Sequence, residues 1–203
     1  MSALEIADII GVICFALSGF LISVHYKLDI LGVFISSFLT ALGGGMIRDV
    51  LANRTPYVFT QNLPVILVVT TVFVALLFKL HKIDDLESKS VFIISDAVGL
   101  VSFSITGSII AIQNDFNFLG ALILSFLTAV GGGTLRDILI NRVPSILVSE
   151  FYATVALIVA TIVFALQMYD LISLLTLTLV FIFGVALRLL AYYRNWHLPT
   201  LSK

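Results

Sequence analysis

Charge is what this chain lacks most. Of its 203 residues only 11% are Asp, Glu, Lys or Arg, against roughly 25% in an ordinary soluble domain. Cysteine is nearly absent too. Cys14 stands alone, so neither an intrachain disulfide nor a cysteine-based metal cluster is available. His25, His81 and His197 have no metal-ligand spacing with each other, and no metal site is expected. Only four prolines and one tryptophan occur, which leaves long apolar runs intact. A net charge of −1 gives no footing for nucleic acid. No HExxH, GxSxG or P-loop pattern is present, so no enzyme activity is expected.

What remains is apolar. The chain is 60% hydrophobic with a mean hydropathy of +1.16. A membrane-spanning helix needs about 20 mainly apolar residues. Seven runs qualify, near Leu4–His25, Ile30–Asn53, Leu63–Leu80, Val91–Gln113, Phe118–Asn141, Leu147–Met168 and Leu171–Tyr193. The expected class is an all-α polytopic membrane protein with seven transmembrane helices. The first run opens with Glu5 and Asp8 instead of a basic region, so it reads as a span and not as a cleavable signal.

One motif interrupts the apolar background, and it occurs twice. Gly43-Gly44-Gly45-Met46-Ile47-Arg48-Asp49, followed by Asn53-Arg54 and Pro56, returns as Gly131-Gly132-Gly133-Thr134-Leu135-Arg136-Asp137, followed by Asn141-Arg142 and Pro144. Matched positions are 88 residues apart, and without gaps 22 of 49 places are identical between residues 8–56 and 96–144. Asp8/Asp96, Gly11/Gly99, Phe15/Phe103 and Gly19/Gly107 are among them. Apolar composition alone does not align glycines, acids and arginines. The chain therefore reads as a duplication: a first three-helix repeat over 1–80, a polar linker over 81–90, a second repeat over 91–168, and a seventh helix with a C-terminal tail over 169–203. Three helices per copy is an odd number, so the second copy enters the membrane from the opposite side, an inverted 3+3 repeat. Basic residues at the loops gather on one side, at Lys27, Lys79, Lys82, Lys89, Arg142, Arg194 and Lys203, against Arg54 on the other. The positive-inside rule then puts the N-terminus outside and the C-terminus in the cytoplasm.

Three adjacent glycines each cost about 1 kcal/mol relative to alanine in a helix. Backbone that departs from a helix inside a membrane must be satisfied by protein or line a water-filled cavity. Helices two and five are therefore expected to be kinked or unwound at Gly43–Gly45 and Gly131–Gly133. Close helix packing through small residues is the alternative. Intramembrane charges are costly and mark functional sites. Arg48 and Asp49 point about 100° apart around a helix and are not expected to pair. Depth instead brings Arg48 to Asp8 and, by the repeat, Arg136 to Asp96. Two ion pairs, Arg48–Asp8 and Arg136–Asp96, are expected to close opposite ends of one polar pathway. Asp49, Asp137 and the glycine carbonyls offer oxygens that can replace a cation's hydration shell. Ser18 and Thr106, at matched places, are expected either to line that path or to bond back to their own helices. Arg188, near the end of helix seven, is expected to snorkel to the headgroups.

The doubled Gly-Gly-Gly-x-x-Arg-Asp in a seven-helix chain resembles the prokaryotic branch of the trimeric intracellular cation (TRIC) channel family, over nearly the whole length. The resemblance implies a homotrimer in the cell's inner (plasma) membrane, with a separate hourglass potassium pore in each protomer. It implies Gly43, Gly44, Gly45, Gly131, Gly132 and Gly133 as kink formers, and Arg48, Asp49, Arg136 and Asp137 as polar pore residues. No cofactor is implied. Potassium is the permeant ion, and membrane lipid is the one other bound molecule expected. Animal members carry a lysine-glutamate version of the segment and bind phosphoinositide there, whereas this chain keeps Arg-Asp. Some members of the same broad family are regarded as glycine transporters, so a carrier of a small zwitterion is the alternative.

Overall fold

The computed structural model describes residues 3–82, 90–148 and 151–196. Most of the expected linker, residues 83–89, and the tail from 197 onwards, including His197 and Lys203, lie outside those described residues. Within them the chain is helical: α1 (Ala3–His25), α2 (Ile30–Leu51), α3 (Tyr57–Thr60), α4 (Leu63–Leu77), a 3-10 turn at Leu80–Lys82, α5 (Ser90–Gln113), α6 (Phe118–Leu139), α7 (Ser145–Val148), α8 (Tyr152–Met168) and α9 (Leu174–Tyr193). Among the described residues α1, α2, α5, α6 and α9 are long and apolar enough to cross a membrane, while α4 and α8 are shorter apolar helices of 15 and 17 residues. At 1.5 Å per residue, α4 covers only about 22 Å. Helices α4 and α8 each begin after a short turn, α3 or α7, and a proline.

Local sequence explains the boundaries. Asp29 and Asn117 cap α2 and α6, each accepting a hydrogen bond from the backbone N–H three residues on, at 2.7 Å from Gly32 and 2.8 Å from Gly120. Both helices end on an asparagine in the left-handed region, Asn53 at φ 52° and Asn141 at φ 55°. The N–H groups of Arg54 and Arg142 reach back to the carbonyls of Asp49 and Asp137, both at 2.8 Å. This is a Schellman closure, and it accounts for the Asn-Arg pair that follows each motif.

Helix α1 packs chiefly on α5 and α2 on α6, with α4 against α1 and α8 against α5. Helix α9 lies over α5 and α8. Large apolar side chains such as Phe73, Leu77, Ile123, Leu179 and Ile182 face outwards, as a lipid-facing surface requires. With lipid as apolar as the side chains, association relies on close packing through small residues.

The glycine triplets supply that packing. Neither unwinds its helix: α2 and α6 run as uninterrupted α-helices through Gly43–Gly45 and Gly131–Gly133, so of the two expected forms, kinked or unwound, the unwound one does not occur. The physical reason lies across the interface. A Cβ on Gly44 would land inside the carbonyl oxygen of Thr128, and one on Gly132 inside that of Thr40. An added Cβ on Gly43 or Gly131 would stand 3.4 Å from the Cα atom of Gly132 or Gly44, in ordinary contact, and would press on Leu135 or Ile47 at 2.7 and 2.9 Å. The two helices run antiparallel and touch backbone to backbone, so glycine is demanded by proximity and not by a left-handed turn. Gly44→Ala and Gly132→Ala should each lower stability by about 1–3 kcal/mol through overpacking. At Gly45 the nearest atom to an added methyl is an Arg48 nitrogen at 3.9 Å, so Gly45→Ala should be neutral or stabilising by up to about 1 kcal/mol. Melting curves of the three variants in detergent check this; matching midpoints for Gly44→Ala and Gly45→Ala would refute the contact.

Candidate functional site

Two buried arginine clusters stand at either end of the α1–α5 pair. In the first, the Arg48 guanidinium donates through Nη1 to Asp8 Oδ1 at 2.8 Å and to Thr106 Oγ1 at 3.2 Å. Its Nε donates to Asp49 Oδ1 at 2.9 Å. The other Asp49 oxygen accepts the backbone N–H of Tyr57 at 2.9 Å, at the start of α3. One guanidinium thus ties together α1, α2, α5 and the turn after the motif.

The second cluster repeats the first, atom for atom in part. Arg136 donates through Nε to Asp137 Oδ1 at 2.9 Å, and Nη2 stands 2.9 Å from the same oxygen. Asp137 Oδ2 accepts the N–H of Ser145 at 2.7 Å, opening α7. Nη1 donates to Ser18 Oγ at 3.0 Å, and Ser18 in turn donates to Asp96 Oδ1 at 3.1 Å. The direct distance from Arg136 to Asp96 is 3.8 Å. The structure therefore brings Asp8 to Arg48 directly, and Asp96 to Arg136 largely through a serine. Thr106 and Ser18 are exchanged between the halves: each completes the arginine of the other repeat.

Two readings from sequence need correcting. Arg48 and Asp49 do pair, as do Arg136 and Asp137, because the long arginine stem swings round the helix while the aspartate sits in its last turn. Asp49 and Asp137 are consequently committed, with one oxygen on the neighbouring arginine and the other on a backbone N–H. Arg188 does not snorkel either. It is 5% exposed, with its guanidinium carbon 4.9 Å from the ring centre of Tyr152 and 5.9 Å from that of Tyr192.

The two ends differ in what surrounds them. An open cavity of about 590 Å³ reaches the first cluster, with Glu5, Asp8, Arg48, Asp49, Arg54 and Leu4 on its walls. A narrower recess continues inwards past Pro64 to Phe103. At the second cluster the repeat partners of Leu4 and Pro64 are Phe92 and Tyr152. The Phe92 ring centre lies 5.9 Å from the Arg136 guanidinium carbon, and Tyr152 is buried with its hydroxyl engaging Asp96. Aromatic rings thus stand where the first half has Leu4 and Pro64, and Arg188 of α9 lies against Tyr152. Asp8 keeps 21% of its side chain exposed and Asp96 only 9%.

Sequence reasoning missed Tyr152 and Phe92, and assigned Arg188 to the headgroups. The available signal was the divergence of the repeat itself, Leu4 to Phe92 and Pro64 to Tyr152. Gly45 and Gly133 flank the arginines, and the remaining motif glycines, Gly43, Gly44, Gly131 and Gly132, belong to the α2–α6 contact. Among the described residues no group of three or more His, Cys, Asp or Glu side chains could hold a metal ion.

A family profile described as Glycine transporter matches residues 5–81 and 93–168, one segment per repeat. The membrane protein YvgT of Bacillus subtilis is 32% identical over 200 residues, covering 98% of this chain and 97% of its own. A structure solved to explain conductance through TRIC cation channels superposes with a TM-score of 0.85 at 33% identity, covering 98% of this chain and 97% of that one. The TRIC trimeric intracellular cation channel orthologue from Rhodobacter sphaeroides gives a TM-score of 0.87 at 28% identity, covering 96% and 100%. The chain belongs to the bacterial membrane-protein family described as Glycine transporter, and its fold is that of the prokaryotic TRIC cation channels.

Proposed function

We propose that this protein is a cation channel that conducts potassium, with one pathway inside each protomer of a homotrimer in the inner membrane. The observation that carries the reading is the charge count at the open end. Glu5, Asp8 and Asp49 face Arg48 and Arg54 around one cavity, an excess of one negative charge. The core of each cluster repeats that excess, two carboxylates to one guanidinium. A cleft of one net sign with low-dielectric walls concentrates counter-ions, here cations. The guanidinium then acts as the movable element, held by Asp8 and Thr106 at one end and by Ser18 and Asp137 at the other.

The solved TRIC cation channels, one studied for its conductance and one a trimeric intracellular cation channel orthologue, support the same assignment. In this reading all seven longer helices cross the membrane as an inverted 3+3 repeat, α1, α2 and α4 against α5, α6 and α8, with α9 added. The N-terminus lies outside and the C-terminus in the cytoplasm, as the basic loops require. Ser18 and Thr106 line the route, and any bound lipid sits on the outer faces.

A second reading has its own observation. The family is described as Glycine transporter, and the open cavity presents both carboxylates and guanidinium groups, a suitable lining for a zwitterion. Planar-bilayer recording on purified protein separates the two. A channel gives unitary potassium currents whose reversal potential in a KCl gradient follows the cation. Saturable glycine uptake into liposomes without unitary currents would remove the channel assignment. Asp8→Asn neutralises the excess charge at the open end. It should cut potassium conductance by about two- to tenfold at 0.1 M salt, and by less at 1 M, where the screening length falls from about 10 to about 3 Å. A variant that conducts as well as wild type at both salt concentrations would show that Asp8 does not face the ion path.

A further inference from the structure

We propose that Phe15 and Phe103 form a hydrophobic gate at the middle of the pathway, between the two arginine clusters. The inference rests on the channel reading and adds to it the residues that close the route. The axial positions come first. On α1, Asp8 touches the first cluster and Ser18 the second. The ten-residue step from one to the other spans about 15 Å of helix. Phe15 lies inside that interval. On α5, which runs the other way, Asp96 belongs to the second cluster and Thr106 to the first, with Phe103 inside the interval. The rings therefore sit between the charged ends, one contributed by each repeat.

The contact itself is tight. The ring centres are 5.2 Å apart at an interplanar angle of 81°, an edge-to-face pair. The two residues are 0% and 1% exposed. Each ring lies on the bare backbone of a glycine from the other repeat. A Cβ on Gly11 would stand 2.5 Å from the Phe103 ring, and one on Gly99 would collide with the Phe15 ring. Gly11/Gly99 and Phe15/Phe103 are all identical pairs at the 88-residue offset, so ring and cradle are reciprocal.

Phe103 also forms the inner wall of the recess that holds Asp8, Arg48 and Asp49. An ion entering from the open end and passing Arg48 meets that ring next. Two aromatic rings in contact offer a cation no oxygen and exclude its hydration shell, and an apolar constriction of this kind blocks conduction by dewetting. Thr106 links the gate to the charge that senses the ion. Its Oγ1 accepts from Arg48 and donates to the Phe103 carbonyl at 3.3 Å. A shift of Arg48 towards a cation or a field therefore pulls directly on the turn that carries the ring.

The test compares potassium flux from liposomes loaded with purified protein. The Phe15→Ala/Phe103→Ala pair should raise basal flux by about tenfold or more, with each single variant in between, because the dry segment becomes wettable. Phe20→Ala is the control. Phe20 is equally buried, lies beyond Ser18 on α1 and faces neither cluster in the contacts above; its loss should lower the melting temperature and leave basal flux unchanged. The Phe15→Leu/Phe103→Leu pair covers the case in which the alanine pair does not fold. It stays apolar, and the smaller side chains should still raise flux by roughly threefold. If wild type conducts and the folded double variants match it, the gate is wrong and the channel reading stands. If neither wild type nor any variant passes potassium, the gate and the channel reading fall together.

Discussion

A guanidinium inside a membrane protein has to be matched, and that demand organises this molecule. Unpaired, such a charge at the bilayer centre is costly by any scale. Here Arg48 is satisfied by an acid from α1, an acid from its own helix and a hydroxyl from α5, and Arg136 by the corresponding groups. Each aspartate beside its arginine then spends its second oxygen on a backbone N–H of the next turn. The order of the helices, the position of α3 and α7, and the register of α1 on α5 all follow from where these donors must go. Removing one partner of a buried pair generally costs several kcal/mol, because the other charge is stranded. That asymmetry makes the clusters the points from which the fold cannot be displaced.

The glycine triplets meet a different demand. In a solvent as apolar as leucine, helices gain little by burying leucine and more by approaching closely. Gly44 under the Thr128 carbonyl and Gly132 under that of Thr40 permit an approach no side chain would allow, and the uninterrupted helices show that proximity is sufficient reason for them. The pattern is the same at Gly11 and Gly99, where the neighbour is an aromatic ring instead of a carbonyl.

Much of this was legible from residues 8–56 and 96–144 alone. Identical glycines, acids and arginines at one fixed offset disclose the duplication, and an odd number of helices per copy dictates antiparallel halves. The meeting of Asp8 with Arg48 follows from depth counted along two helices. What sequence could not disclose was the direction of flexible side chains. Periodicity places Arg48 and Asp49 on different faces, but an arginine has enough rotatable bonds to come back to its neighbour. It also could not tell a glycine that bends a helix from one that admits another backbone, since both leave the same letters. Arg188 lies over the ring of Tyr152, a residue in a different helix that fails to match Pro64 in the repeat. Divergence within a repeat was harder to read than agreement.

The exchange of Thr106 and Ser18 between halves has a consequence for either half taken alone. A gene encoding residues 3–82 alone would supply Arg48, Asp8 and Asp49 but not the hydroxyl that comes from α5. Neither half closes its own arginine cluster; each is completed only by the other. The two mouths are nonetheless unlike, with Leu4 and Pro64 at one and Phe92 and Tyr152 at the other. A molecule built from two matching halves thus has a front and a back.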